Sequence, residues 1–217
     1  ILISSQFQFR ISKEEFEAVR IGAINIHASI LPKYKGKHSD VWALINDEKI
    51  LGITVHRINE KFDDGEILHI EKIKINDSMT NKEIYHKSSK PLPKIIKLIF
   101  NNLIFKNPIK KKGQEIFWRV RNLNDSRINW SLDCRKVFLF IRALAREPIY
   151  AYSNYKGDTF YFLLCKITDY KENKLIPGTV IEKLGKLYVV CGDSKLLRVI
   201  EYKSEKKKDL RQKYVLH

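Results

Sequence analysis

Runs of apolar and β-branched residues, separated by polar turns, predict buried strands in the first half of the chain. These strands are predicted at residues 1–4, 23–26, 52–58 and 67–75. Ser12 with Glu15, and Thr80 with Glu83, have the spacing of a capping box, so a helix is predicted to follow each serine or threonine.

Helices are therefore predicted between these strands. The first capping box opens a short helix through Arg20, and another helix begins at Ser39 or Asp40. The helix that starts after Thr80 breaks near Pro91, and a further helix covers residues 93–105. Strands alternating with helices indicate an α/β core.

The second half has a different pattern. After a helix predicted at residues 133–144, short strands are predicted between Gly, Asn and Asp turns, at residues 159–167, 179–183, 187–191 and 196–201. This pattern favours a small antiparallel barrel appended to the core. We expect the core at residues 1–105, a basic linker at 106–129 and the second domain at 130–217.

The formal net charge is +16, with basic clusters at residues 33–37, 106–113 and 203–213. Such a field favours anionic partners, including nucleic acid and nucleotide-linked substrates. The whole chain is rich in Lys, Ile and Asn, so the charge is equally consistent with a compositional habit. Both interpretations stay open.

Three cysteines, Cys134, Cys165 and Cys191, are widely spaced and odd in number. Their spacing does not match a metal site or a disulfide framework, so we expect buried thiols in a reducing cytoplasm. No apolar run has the length of a membrane span, and the first residues lack the pattern of a signal peptide.

Two short polar groups follow predicted strands. Asn25 and His27 lie two residues apart at the end of a strand, so their side chains share one side. Asp63, Asp64 and Gly65 follow the strand that carries His56. Taken separately, each group is also explained as a turn or as a satisfied hydrogen-bonding group.

Together the segments are far more specific. NIHASILPKYKG and, later, GITVHRINEKFDDGEIL resemble the formyltransferases that use 10-formyltetrahydrofolate. The resemblance implies that Asn25, His27 and Asp63 are catalytic and that Asp64 and Gly65 contact the folate co-substrate. Residues 117–144 and 177–201 are similar to the linker and barrel of the same family. The resemblance thus implies a partial Rossmann-like core followed by an OB-like antiparallel β-barrel.

Formyl transfer passes through a tetrahedral intermediate with an oxyanion, which amide and imidazole groups stabilise. Asn25 and His27 supply these groups, with Asp63 assisting proton transfer and no metal required. Four further residues are candidates for substrate binding: Lys33, Tyr34, Lys35 and His56. The alternative for the first three is a solvated loop, but the position of this loop next to the predicted site favours contact with an anionic acceptor; for His56 a structural role is at least as consistent.

The early stretch SSQFQFRISKEEF and the strand TVHRI look most like enzymes that formylate nucleotide-linked amino sugars. We therefore expect a sugar nucleotide as the acceptor, with methionyl-tRNA, held by the basic linker and tail, as the alternative. The expected location is the cytoplasm, without membrane attachment, and a homodimer is left open.

The chain begins at Ile1, and Met79 is its single methionine. The resemblance implies an earlier part of the catalytic domain that precedes Ile1. We therefore expect either a fragment of a longer chain or a truncated, inactive family member. A plain RNA-binding module is a third hypothesis, but it leaves the combination of Asn25, His27 and Asp63 unexplained.

Overall fold

The computed structural model describes residues 1–7, 9–101, 103–146, 150–206, 209–210 and 215–216. The chain divides into two compact units. The first comprises Ile1–Ala43, Glu48–Met79 and Glu83–Arg121, and the second comprises Leu44–Asp47, Thr80–Lys82 and Asn122–His217. Residues 106–121 of the expected linker thus belong to the first unit, and the domain boundaries expected from the sequence stay a prediction.

A mixed sheet with helices forms the first unit, apart from the end of its second helix and the start of its third, which belong to the second unit. The elements of the first unit, in chain order, are β1 (Leu2–Ser5), α1 (Lys13–Glu17), β2 (Ala23–His27), β3 (Lys35–Gly36), α2 (Ser39–Ile45), β4 (Ile50–Arg57), β5 (Ile67–Lys74), α3 (Asn81–Ser89), α4 (Leu92–Phe100) and β6 (Phe117–Trp118). The main sheet has the order β1-β2-β4-β5. β1 is parallel to β2, and the other neighbours are antiparallel. The predicted α/β core is confirmed.

The register between β2 and β4 matters for the site. Asn25 lies opposite His56, and His27 lies opposite Thr54. Ile24 and Val55, on the same two strands, are completely buried. Because side chains alternate along a strand, the apolar residues face the core while the polar ones share the other side. Burial of the apolar set therefore fixes which side the polar residues occupy.

Helix α1 begins as predicted but ends early. The Ser12 hydroxyl accepts from the Glu15 backbone N–H, and the Glu15 carboxylate accepts from the Ser12 N–H, which confirms the capping box. The helix ends at Glu17, so the expected extension to Arg20 is wrong. None of its residues is fully buried, and a helix this short needs packing to continue.

The predicted break between α3 and α4 is confirmed. Pro91 is the N-cap of α4, and Ile95 and Ile99 are its buried residues. The helix ends at Phe100, where Asn101 caps it, so the expected end at residue 105 is wrong. A separate 3₁₀ helix covers Leu103–Phe105.

One pairing had no signal in the sequence. β6 lies parallel to β3, with Lys35 opposite Phe117 and Gly36 opposite Trp118. Two-residue strands carry too few side chains to show a period. The pairing brings part of the basic segment next to the loop that follows β2.

The second unit contains a five-stranded antiparallel sheet and a helix, which confirms the antiparallel strands that the sequence predicts, while closure of these strands into a barrel stays a prediction. Its elements are α5 (Cys134–Leu144), β7 (Ala151–Tyr155), β8 (Asp158–Lys171), β9 (Val180–Lys183), β10 (Lys186–Val190) and β11 (Lys195–Ser204). The strand order is β7-β8-β11-β10-β9. Asp133 caps α5, and its carboxylate accepts from the Lys136 N–H. The helix packs on β8, and β8 extends beyond the predicted end at residue 167.

All three cysteines lie buried in this second unit and are free. Although distant in sequence, Cys134 and Cys191 are close enough for their thiols to share a hydrogen bond. The expected buried thiols are thus found, and the fold brings two of them together.

None of the helices within the described residues combines the length and the apolar composition needed to cross a membrane.

Candidate active site

Three polar side chains meet at the end of β2. Asn25 Nδ2 lies 3.4 Å from Asp63 Oδ1, to which it donates, and His27 Nδ1 lies 3.5 Å from the same oxygen. His27 and Asp63 are about one-tenth exposed, while Asn25 is only partly buried. The structure therefore brings together the three residues that the sequence predicts, and it leaves the Asn25 amide partly accessible.

The turn that carries Asp63 has an unusual backbone. Asp63 has a φ of 50°, in the left-handed region that a non-glycine residue adopts at a cost. Its Oδ2 accepts from the Gly36 N–H at 2.8 Å. A side chain at Gly65 would place its Cβ 1.7 Å from the Arg57 carbonyl oxygen, so only glycine fits there. These contacts aim the Asp63 carboxylate toward β2.

His56 completes the hydrogen bonding of Asn25. Its Nδ1 lies 2.8 Å from the Arg57 carbonyl oxygen, so Nδ1 must donate. In the neutral ring, Nε2 is then an acceptor, and it lies 3.2 Å from Asn25 Nδ2. The same Nε2 also lies 3.4 Å from Asp63 Oδ1, so it accepts from Asn25 in the neutral ring and donates to Asp63 when it carries a proton, while Asn25 Nδ2 donates to Asp63 in both cases. This arrangement fixes which way the Asn25 amide faces.

The His27 ring has a similarly fixed orientation. Its Nε2 lies 2.7 Å from the Tyr34 carbonyl oxygen and must donate to it. Burial lowers the pKa of His27, and this effect outweighs the opposing influence of Asp63 and of the Tyr34 carbonyl. The ring is therefore neutral at pH 7, with the Nδ1 lone pair facing Asp63.

Asp63 is ionised under the same conditions. Burial raises the pKa of Asp63, but His56, the charged form of His27 and the Gly36 N–H together hold it below its ordinary value. A carboxylate beside Nδ1 stabilises the imidazolium that forms when His27 takes a proton. The pair is arranged to accept a proton during a reaction.

Three residues of the loop that follows β2 differ in their surroundings. Lys33 is half exposed and pairs with Glu48. Tyr34 is buried, its hydroxyl donates to Glu48 at 2.8 Å, and its ring stacks on Trp118. Lys35 is also buried. Lys33 thus has the exposure that a substrate contact requires, and the substrate-binding role of these residues and of His56 stays a prediction.

Asp64 faces cations. Lys35 Nζ lies 2.5 Å and Lys111 Nζ 3.1 Å from Asp64 Oδ1. The hydrogen bond from Lys35 is the main cause that holds the pKa of Asp64 below its ordinary value. The expected folate contacts of Asp64 and Gly65 stay a prediction.

Two residues of the site carried no clear signal in the sequence. Thr54 is completely buried; its hydroxyl donates to the Ser29 carbonyl at 2.6 Å and accepts from the Leu31 N–H at 3.1 Å. Trp118 stacks against both Tyr34 and Trp42. For Thr54, the sequence offers one signal: it lies two residues before His56, so both side chains lie on the same side of β4.

A family profile described as formyl transferase matches residues 2–98, and one described as the formyl transferase C-terminal domain matches residues 122–216. The chain belongs to the formyltransferase family. The first match contains Asn25, His27 and Asp63, and the second contains α5 and the antiparallel sheet, while Lys111 and Trp118 lie between the two matches.

Known formyltransferases show the same relationship. The chain is 28% identical over 214 residues to the methionyl-tRNA formyltransferase of Acetivibrio thermocellus, covering 95% of this chain and 68% of the relative. It is 32% identical over 193 residues to the enzyme of that name from Clostridium botulinum, covering 86% and 61%. The chain therefore spans about two thirds of the length of these two relatives.

Solved formyltransferases share the fold. The structure of WlaRD, a sugar 3N-formyl transferase, superposes with a TM-score of 0.71 at 21% identity, covering 92% of this chain and 71% of that one. At this identity the likeness establishes the fold alone.

Proposed function

We propose that this protein transfers the formyl group of 10-formyltetrahydrofolate to an amine, with Asn25, His27 and Asp63 as its catalytic residues. The observation that carries the proposal is their convergence: Asn25 Nδ2 and His27 Nδ1 lie 3.4 and 3.5 Å from the same Asp63 oxygen. Membership of the formyltransferase family supports the reaction class.

Each residue has a defined part in the proposed reaction. The amine nitrogen attacks the formyl carbon, and Asn25 donates an amide hydrogen to the oxyanion that develops. His27 Nδ1 takes the proton that the amine loses, and Asp63 stabilises the resulting imidazolium. The bond between the formyl carbon and N10 of the folate then breaks, and N10 takes up the proton that His27 releases. The residues perform these steps without a covalent enzyme intermediate.

For the acceptor, the relatives support methionyl-tRNA better than the nucleotide-linked amino sugar that the sequence resemblance favoured. Relatives named as methionyl-tRNA formyltransferases match 86–95% of this chain at 28–32% identity. The formal charge of +16 is also suited to a tRNA backbone. We therefore place methionyl-tRNA first.

The amino sugar is the second candidate acceptor. The observation that favours it is the likeness of SSQFQFRISKEEF and TVHRI to sugar-nucleotide formyltransferases. Both acceptors present a neutral amine to the same formyl carbon, so the catalytic trio serves either.

The test measures formyl transfer from 10-formyltetrahydrofolate to initiator methionyl-tRNA and to a panel of nucleotide-linked amino sugars. The variant is His27→Ala, and the matched control is His86→Ala, because His86 is exposed on α3 away from the trio. We expect transfer to methionyl-tRNA that is lost in His27→Ala and kept in His86→Ala.

Transfer to a sugar nucleotide alone would replace the first acceptor with the second. A folded chain that binds 10-formyltetrahydrofolate but transfers its formyl group to neither acceptor would contradict the proposal and favour an inactive family member. Salt-dependent RNA binding without folate binding would favour an RNA-binding module instead.

A further inference from the structure

Four charged side chains form a cluster beside the Asp63 turn. Lys35 Nζ lies 2.5 Å from Asp64 Oδ1 and 2.7 Å from Glu115 Oε2. Lys111 Nζ lies 3.1 Å from Asp64 Oδ1 and also donates to the Asp64 carbonyl oxygen. Lys35 is only 8% exposed, and Asp64 23%. The cluster is thus partly shielded from solvent and has two cations matched by two anions.

Two members of the cluster come from one segment, residues 109–118, which we call the strap. At its start, the Ile109 N–H donates to the Ile67 carbonyl at 2.7 Å. Near its end, the Ile116 N–H donates to the Pro32 carbonyl at 3.3 Å, and the Ile116 carbonyl accepts from the Lys35 N–H at 3.0 Å. The strap is therefore fixed to β5 on one side of the turn and to Pro32 and Lys35, after β2, on the other.

Asp64 connects this cluster to the catalytic carboxylate, because it directly follows Asp63. Asp63 has its left-handed backbone, with a φ of 50°. Such a conformation persists only where neighbouring contacts determine it. Lys111 holds both the main-chain oxygen and the carboxylate of Asp64, and Lys35 holds the carboxylate. A change at Lys111 therefore releases the main chain next to Asp63, and a change at Lys35 frees the Asp64 carboxylate.

We propose that Lys35 and Lys111 are positioning residues, which hold Asp64 in place and thereby set the direction of the Asp63 carboxylate toward His27. Their effect on turnover rests on the formyl transfer proposed above. Their effect on His27 does not, because it is a property of the folded chain. In this proposal both lysines bind Asp64 and do not bind a substrate.

The ionisation of the cluster is consistent with this assignment. Burial opposes the charge on Lys35, but its hydrogen bonds to Asp64 and Glu115 raise its pKa above the ordinary value. The hydrogen bond from Lys35 lowers the pKa of Asp64. Lys35 and Asp64 are therefore both charged at neutral pH.

The test compares the full chain with Lys111→Met, Lys111→Arg and a control, Lys72→Met. Lys111 is 30% exposed and is not among the buried residues of the core, and Lys111→Met keeps much of the length of the side chain. Lys72 is an exposed lysine of β5 in the same unit. The first readout is the titration of the His27 ring, followed by histidine NMR. Asp63 raises the pKa of His27, so a displaced carboxylate shifts that pKa downward.

The second readout is turnover. We expect Lys111→Met to lower kcat by about 10- to 100-fold, because a small displacement of a catalytic group has an effect of this size. The fall in kcat should exceed any rise in the KM for the folate, because a displaced Asp63 acts in the transition state, whereas a rise in KM alone would report the expected folate contact of Asp64. Lys111→Arg should restore most of the native His27 titration and of kcat, and Lys72→Met should match the native chain.

A native His27 titration in folded Lys111→Met would overturn the proposal. Loss of the fold in that variant, while Lys72→Met folds, would assign the cluster to stability alone and would overturn it equally. If the native chain shows no turnover at all, the proposed function fails, and the His27 titration still decides the role of the lysines.

Discussion

Asn25 and His27 stand on a regular strand, β2, whereas Asp63 stands in a turn that contacts from three other segments hold in place. The first pair owes its common direction to the two-residue period of the strand and to the burial of Ile24 and Ile26, which alternate with them along β2. The turn depends on the Gly36 N–H, the Arg57 carbonyl and Lys111. One half of the site is therefore determined locally, and the other by contacts distant in sequence.

This difference predicts that substitutions in the two halves fail in different ways. A substitution in the strand half removes a chemical group but leaves the backbone where it was. A substitution in the turn half moves the backbone and changes stability and chemistry together. Loss of activity without loss of stability therefore indicates the strand half, and loss of both indicates the turn half.

Asn25→Ala breaks the strand half and has the largest expected effect. We expect kcat for formyl transfer to fall by about 100- to 1,000-fold, equivalent to about 2.7–4 kcal/mol, because one oxyanion donor is lost. The free energy of unfolding should fall by only about 1 kcal/mol, since the lost hydrogen bonds lie in a partly buried site.

The measurements are single-turnover formyl transfer and urea unfolding. Asn46→Ala is the matched control, because Asn46 is exposed in the turn after α2. An unchanged kcat in Asn25→Ala would remove Asn25 from the catalytic residues.

Gly65→Ala breaks the turn half. The added Cβ would lie 1.7 Å from the Arg57 carbonyl oxygen, so the backbone must move. We expect a loss of about 3 kcal/mol in the free energy of unfolding, together with a loss of turnover. Gly113→Ala is the comparison: its Cβ would meet nothing within 4 Å, and its φ of 99° alone costs about 1 kcal/mol.

Urea unfolding of both glycine variants measures this difference. Equal losses in the two variants would mean that the contact with Arg57 does not restrain the turn.

The same division explains what the sequence predicts and what it does not. The strands, the capping box at Ser12 and the trio of Asn25, His27 and Asp63 were identified from spacing and from the family resemblance. The strands and the capping box depend on residues close in sequence. The trio depends on a contact between distant residues, which the family motif indicates.

The role of the strap was not predicted, because it depends on pairing between residues about 80 positions apart, such as Lys35 and Glu115. A basic segment gives the same pattern in a sequence whether it is solvated or paired with carboxylates. The early end of α1 was missed for a related reason: its spacing predicts a helix, but burial decides how far the helix continues.

The pH dependence of stability sharpens the comparison, since His27 comes from the strand and Asp63 from the turn. Burial lowers the pKa of His27, so the unfolded chain binds the proton more readily than the folded chain. The free energy of unfolding should therefore fall as the pH falls below about 6.5, the ordinary histidine pKa. The groups facing His27 are Asp63, Asp40, His56 and the Tyr34 carbonyl.

Asp63 affects stability in a lower pH range. Because its pKa is below the ordinary value, its contribution is present above about pH 4 and is lost as the pH falls through the folded value. Urea unfolding across this range should show a weaker dependence near pH 6 in His27→Gln, with His86→Gln as the control. A His27→Gln profile that parallels the native one would show that His27 does not carry the effect.

Lys33→Met has the smallest expected effect and tests the part of the loop that neither half restrains. Lys33 is half exposed and pairs with Glu48, so its loss should change the free energy of unfolding by less than about 1 kcal/mol. If Lys33 contacts the anionic acceptor, the KM for that acceptor rises while kcat stays the same. The contact should also weaken with added salt.

Steady-state kinetics at low and high salt, with Lys72→Met as the control, measure this effect. Lys33→Met and Lys111→Met should then differ in kind: the first changes the KM for the acceptor, and the second changes kcat. An unchanged acceptor KM in Lys33→Met would show that Lys33 is a solvated surface residue. The acceptor would then be bound by other residues.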